Sequence, residues 1–65
     1  MRTGVVRSFD VERGLGEVAD ADGTVYPLHC TQIADGSRRI DPGTPVTFSV
    51  LAKLGRYEAT DVRPA

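Results

Sequence analysis

The chain has 65 residues, of which 40% are hydrophobic and 26% charged, and this is enough for one small domain with a thin core. Eight basic and nine acidic residues give a net charge of −1, so the strongly basic composition of many nucleic-acid binders is excluded. The chain has neither an apolar run near the roughly 20 residues of a spanning helix nor a signal-like start. We therefore expect one cytoplasmic domain, residues 1–65, without membrane contact.

The single cysteine and the single histidine limit the chemistry of the chain. Cys30 cannot form an internal disulfide, and Cys30 with His29 cannot supply the four ligands of a structural zinc site. No sharp nucleophile turn surrounds Ser8. We expect no catalytic residue, no metal and no cofactor, and hence a protein that is not an enzyme.

Glycine and proline divide the chain into short extended runs. Residues 46–50 alternate apolar and polar side chains without a break, which is typical of a half-buried strand. Asp22-Gly23 predicts a two-residue hairpin turn with both residues at positive φ, and residues 30–35 allow one helical turn. The predicted strands are 3–9, 15–20, 24–29, 45–52 and 57–63.

No segment has the 3.6-residue period of a helix over the 10 to 12 residues that a helix requires. Five short strands without a long helix favour closure into a barrel, because closure removes the unpaired edges of an open sheet. The fold class we predict is therefore all-β, a five-stranded antiparallel barrel.

Strand alternation assigns side chains to the two faces of the predicted second and third strands. If Gly16 and Val18 point inward, Leu15 and Glu17 point outward together. If Tyr26 and Leu28 point inward, the outward side chains of the third strand are Val25, Pro27 and His29. Alternation does not place Ser8 and Phe9 of the first strand on one face.

Several short segments, in this order and spacing, resemble the cold-shock domain family from Gly4 to Pro64. Residues 4–10, Gly-Val-Val-Arg-Ser-Phe-Asp, are similar to the family's Gly-Lys-Val-Lys-Trp-Phe-Asn. Residues 13–18 are similar to its first ribonucleoprotein motif, Lys-Gly-Phe-Gly-Phe-Ile. Residues 26–33 stand where the family has the second motif, Val-Phe-Val-His-Phe-Ser-Ala-Ile, and residues 59–62 resemble its Ala-Ala-Asn-Val.

The resemblance implies a five-stranded barrel of the oligonucleotide-binding (OB) type that binds single-stranded RNA or DNA by stacking bases on aromatic side chains of the second and third strands. It also implies a bulge that turns Ser8 and Phe9 to the open face. Most of the stacking aromatics are replaced, whereas the positions expected to form the core keep their residue types. The replaced positions are Ser8, Leu15, Glu17, Pro27, Cys30 and Ser37.

We therefore predict weak binding of single-stranded RNA or DNA, to which arginines contribute phosphate contacts. The candidate binding residues are Arg7, Phe9, Arg13, Leu15, Pro27, His29, Arg38 and Arg39. Several have an alternative interpretation: Phe9 is favoured as a half-buried packing residue, His29 is equally a solvated histidine, and Arg38-Arg39 equally a solvated loop. Cys30 is favoured as a small packing group.

A protein-interaction module is the second hypothesis. Outward apolar side chains could form a patch with a polar rim of Arg7, Glu17 and His29, which is typical of a surface for a protein partner or for self-association. The side chains of that patch are Leu15, Val25, Pro27 and Cys30.

Overall fold

Five strands form a closed barrel in the computed structural model, which describes residues 1–65 apart from the side chain of Lys53. A single 3-10 turn, Cys30–Gln32, follows the third strand, within the segment predicted to make one helical turn. Each predicted strand boundary lies within one residue of the observed one. The strands are β1 Arg2–Asp10, β2 Leu15–Asp20, β3 Val25–His29, β4 Pro45–Lys53 and β5 Arg56–Pro64.

The order of the strands around the barrel is β1-β2-β3-β5-β4, and β4 pairs with β1 to close it. Four of the neighbouring pairs are antiparallel, as predicted. The contact between β3 and β5 is parallel, and a single pair, Leu28 with Ala59, forms it. This β3–β5 seam is the narrowest junction of the barrel, and a further parallel bridge from Ile33 to Val62 extends it beyond β3.

The core is made of the inward side chains of all five strands and of the connection between β3 and β4. Phe48 is its largest member and is fully buried, with Tyr26 packed against it at a ring-centroid distance of 5.9 Å. The predicted inward positions on β2 to β4 are confirmed. The buried residues are Val6, Val18, Leu28, Ile33, Ile40, Val46, Phe48, Ala59 and Val62.

A bulge in β1 resets the alternation of that strand. Val6 pairs with Val18, but the next pair is Ser8 with Glu17, so Arg7 is an extra residue on β1. The bulge implied by the family resemblance is thus present. It turns Ser8 outward as implied, but the implied open-face position of Phe9 is wrong, because Phe9 pairs with Gly16 and packs against the core.

Gly16 leaves the space into which the ring of Phe9 fits. A Cβ at this position would overlap the backbone oxygen of Ser8 and would lie 2.7 Å from Cδ1 of Phe9. A larger residue would therefore displace either the bulge or the ring.

Two of the three hairpin turns differ from what their sequences suggest. The predicted two-residue turn at Asp22-Gly23 is wrong: Gly23 has φ 93°, Asp22 has no positive φ, and three residues, 21–23, lie between Asp20 and Thr24, which pair through the backbone. Asp20 donates its backbone N–H to Thr24 and accepts one from Gly23, which gives a three-residue loop. A true two-residue turn joins β4 to β5, where Leu54 and Gly55 have φ of 50° and 80°.

In the part of the chain that the structure describes, no helix is long and apolar enough to cross a membrane.

We expect Phe48→Ala to lower the free energy of unfolding by about 3–5 kcal/mol, because it leaves a large cavity at the centre of the core. A domain of this size has roughly 0.05–0.15 kcal/mol of stability per residue, so most of the molecules should unfold. Far-UV circular dichroism and thermal melting measure the effect, and Val11→Ala, at an exposed loop position, is the control. A melting temperature that does not change in the Phe48 variant would contradict the position of Phe48 in the core.

Candidate nucleic-acid interface

Two adjacent rows of outward side chains cross β1, β2 and β3. Strand pairing aligns Ser8 with Glu17 and Glu17 with Pro27 in the first row. It aligns Asp10 with Leu15 and Leu15 with His29 in the second row. All six side chains are exposed, which confirms the outward placement predicted for Leu15, Glu17, Pro27 and His29. We call these six residues the outer face.

A groove of about 240 Å³ lies beside the outer face, along the β3–β5 seam. Arg56 and Glu58 lie at the start of β5. They add one positive and one negative group to a mainly apolar wall. The lining residues are Leu15, Gly16, Pro27, Leu28, His29, Arg56 and Glu58. Three predicted binding residues, Leu15, Pro27 and His29, therefore share one concave site.

Arg56 and Glu58 are absent from the binding residues predicted from the sequence. They lie two residues apart on β5, so alternation places both side chains on the same face of that strand. Their closeness to Pro27 and His29, however, depends on the parallel contact between β3 and β5. That contact joins segments 31 residues apart, and alternation within one strand gives no sign of it.

His29 is held in a defined orientation at the end of β3. Its Nδ1 accepts a hydrogen bond from the backbone N–H of Thr31 at 3.2 Å and lies 2.9 Å from the Thr31 hydroxyl. An Nδ1 atom that accepts from a backbone N–H leaves the proton of the neutral ring on Nε2. His29 can therefore offer an N–H donor to a ligand in the groove, and its ring is positioned before any ligand binds.

Cys30 is half-buried and packs against Gly14. A Cβ on Gly14 would lie 2.6 Å from the Cys30 sulfur, and Gly14 has φ 68°, so this position requires glycine in two respects. The sulfur is 4.0 Å from Nδ1 of His29, a nitrogen that Thr31 already occupies. These contacts favour the interpretation of Cys30 as a packing group.

The predicted binding arginines are spread over three parts of the molecule. Arg7 is exposed at the β1 bulge, and Arg13 lies in the β1–β2 loop with its Nε 3.8 Å from Asp10. Arg38, with φ 60°, and Arg39 lie in the connection between β3 and β4. Arg39 has its Nη2 4.0 Å from Asp41. None of the four is among the residues that line the described groove.

Charges of both signs surround the outer face. Asp10, Glu17 and Glu58 supply the negative groups, while the positive groups are Arg7, Arg13 and Arg56. A phosphate backbone would thus meet attraction and repulsion together. In water the interaction of one phosphate with one of these charged side chains is small, about 1 kcal/mol at 4 Å.

Hydrogen bonds shift the pKa of two carboxylates in loops away from the groove. The backbone N–H of Thr24 lowers the pKa of Asp22, and the backbone N–H of Ser37 lowers the pKa of Asp35. Both groups stabilise turns. Among the described residues there is no group of three or more His, Cys, Asp or Glu side chains that could hold a metal ion.

The closed barrel of five strands and the exposed face on β1–β3 define an OB-type β-barrel. The model of the "Cold-shock" DNA-binding domain matches residues 2–65, and the chain therefore belongs to the cold-shock domain family. This family consists of nucleic-acid-binding, non-enzymatic domains, so nucleic-acid binding in general is the supported class of function. The predicted cytoplasmic location is consistent with the family.

Two relatives illustrate the similarity. Cold shock protein 2 of Lactiplantibacillus plantarum is 32% identical over 65 residues, which cover 98% of each chain. The solved structure of drosophila Unr CSD456 superimposes with a TM-score of 0.82 at 25% identity. The match covers 98% of the present chain but 26% of that solved chain, so the present chain spans about a quarter of its length.

We expect Cys30→Ser to leave the fold and oligonucleotide binding nearly unchanged, because the thiol only packs against Gly14. A change in the free energy of unfolding below about 1 kcal/mol is expected for so small a substitution outside the core. Thermal melting and an oligonucleotide titration of parent and variant provide the measurement. A bound metal that disappears with the substitution would contradict this role.

Proposed function

We propose that the protein binds single-stranded RNA or DNA along the outer face and the groove, with an affinity reduced by the loss of stacking aromatics. One observation carries the proposal. The positions where the family resemblance implies aromatic platforms on β1–β3, namely Ser8, Leu15, Glu17 and Pro27, all lie on one exposed face, and none of them is aromatic.

The expected loss of affinity follows from the strength of stacking. One base stacked on an aromatic side chain contributes about 1–3 kcal/mol. Four missing platforms, at the lowest value, remove about 4 kcal/mol, or roughly three decades of affinity. Glu17, in the centre of the outer face, adds a negative charge where phosphates would pass.

The remaining contacts are of three kinds. Leu15 and Pro27 offer apolar surface to the faces of bases, and His29 offers its ring and the Nε2–H donor. Arg7 and Arg13 supply phosphate contacts at one end of the outer face, and Arg38-Arg39 supply them in the β3–β4 connection. Phe9, packed against the core, contributes at most an exposed part of its ring.

A protein partner is the second candidate, and an apolar row favours it. Strand pairing aligns Val5 with Pro45 on β4 and with Ala19 on β2, and Ala19 with Val25 on β3. Val5 is 43% exposed. This row borders the outer face, so it extends the patch of Leu15, Val25, Pro27 and Cys30 that was predicted from the sequence.

Salt dependence separates the two candidates. Titration of labelled oligo-dT and oligo-U at 50 and 200 mM salt should show weak binding that falls roughly 20-fold if about three phosphates are contacted. Apolar association, either with a partner or with a second copy, should persist or strengthen as salt rises. Binding that does not depend on salt, or no binding at 50 mM, would contradict the nucleic-acid proposal.

Restoring aromatic side chains should restore affinity. We expect a fourfold variant, Ser8→Trp with Leu15→Phe, Glu17→Phe and Pro27→Phe, to fold and to bind oligonucleotides at least two decades more tightly than the parent. All four positions are exposed, so the core is unaffected.

The matched control is Glu17→Gln, which removes one negative charge without adding a platform. It should improve binding slightly, and only at low salt. If the variant with four substitutions is folded but does not bind oligonucleotides, the position of the interface is wrong. The same conclusion follows if the parent already binds as tightly as that variant.

A further inference from the structure

One aromatic ring of the protein is not used by the core. The chain has two tyrosines, two phenylalanines and no tryptophan, and the structure describes all four rings. Phe48 is fully buried, whereas Phe9 and Tyr26 pack against the core. Tyr57 is 62% exposed. It is therefore the one phenylalanine or tyrosine ring in the described part of the chain whose surface is largely available to a ligand, in addition to the exposed imidazole of His29.

Tyr57 lies in a hairpin that extends past the barrel. In the pairing that the structure describes, β1 covers β4 only from Pro45 to Phe48, so the tip of the β4–β5 hairpin reaches beyond β1. The residue opposite Tyr57 is Ala52, which is exposed and small. A small cross-strand neighbour leaves the face of the tyrosine ring open.

The hairpin is continuous with the groove. Arg56 and Glu58, on either side of Tyr57 in the chain, both line it. Alternation turns the Tyr57 side chain to the other face of β5. A single-stranded nucleic acid that leaves the groove would therefore reach the ring by passing over the edge of β5 at Arg56. In the described pairing, β3 meets β5 at Ala59, and the edge before that residue is open.

A cation lies next to Tyr57 in the chain. Arg56 lines the groove immediately before Tyr57 in the chain, and Glu58 lines it immediately after, so the cation lies on the side of the hairpin tip. The combination of an open aromatic ring with an adjacent arginine is the basis of single-strand binding: the ring stacks a base and the cation contacts the phosphate. An apolar protein surface would not require the arginine.

We infer that Tyr57 is a stacking platform for an unpaired base of a single-stranded nucleic acid, and that Arg56 contacts the phosphate backbone between this base and the groove. The inference rests on the proposed function and adds a subsite outside the outer face. The proposed subsite partly replaces the aromatics that β1–β3 lack.

The test compares Tyr57→Ala, Tyr57→Phe and Leu54→Ala in a titration with labelled oligo-dT at 50 mM salt. Tyr57→Ala should weaken binding about 5- to 150-fold, because it removes one stacked base. Tyr57→Phe keeps the ring and should bind within about twofold of the parent. Leu54→Ala removes a 98% exposed apolar side chain from the same hairpin and should also bind within about twofold.

A second measurement locates the contact directly. Ultraviolet crosslinking of an oligonucleotide that contains 5-iodouracil, followed by peptide mapping, should place the adduct on Tyr57. Circular dichroism and thermal melting should show that the three variants are folded like the parent, since the side chains of Tyr57 and Leu54 are exposed.

The outcomes distinguish the subsite from the wider proposal. If the parent binds but Tyr57→Ala binds equally well, the subsite is wrong and the proposed function stands. If Tyr57→Ala and Leu54→Ala weaken binding to the same extent, the hairpin is an apolar contact surface, as a protein partner would use, and stacking is overturned. A parent that binds no oligonucleotide overturns both.

Discussion

The structure depends on one packing constraint: five strands must close into a barrel that places their inward side chains around Phe48. Nine buried residues meet this constraint, and all of them are apolar. Because successive side chains of a strand point to opposite faces, fixing the inward set also fixes the outward set. The positions of Leu15, Glu17, Pro27 and His29 are thus consequences of the way the core packs.

The same constraint explains how a binding surface can change while the fold is retained. Outward side chains on β1–β3 contribute little to the core, so replacing an aromatic ring by Leu15, Glu17 or Pro27 has a small effect on stability. Positions without space for a larger side chain tolerate fewer substitutions. Gly16 is one of them, because any side chain there would collide with Phe9 and with the backbone at Ser8.

Much of the fold could be predicted from the sequence, because alternation and turn residues are local signals. The strand boundaries and the outward side chains of β2 and β3 follow from them. The turns were less predictable. Asp22-Gly23 has the composition of a two-residue turn but belongs to a three-residue loop, whereas Leu54-Gly55 forms a two-residue turn with a leucine at positive φ.

The candidate site was predicted only in part. Leu15, Pro27 and His29 were predicted and share the groove, but Arg56 and Glu58 enter it through a contact between distant segments. The hydrogen bond that fixes His29 depends on the 3-10 turn after β3, and the half-buried position of Phe9 depends on the space at Gly16. The groove and the space for Phe9 depend on contacts between strands, which the alternation within one strand does not contain, and the His29 hydrogen bond is local but depends on the exact start of the turn.

The β3–β5 seam has a consequence for the order of folding. The β1–β2–β3 meander joins segments that are close in sequence, whereas Leu28 and Ala59 can meet only after a loop of about thirty residues is closed, at a higher entropic cost. The groove takes its walls from both sides of that seam. A ligand in the groove would therefore bind only to molecules that have completed this closure, and binding would shift the folding equilibrium toward them.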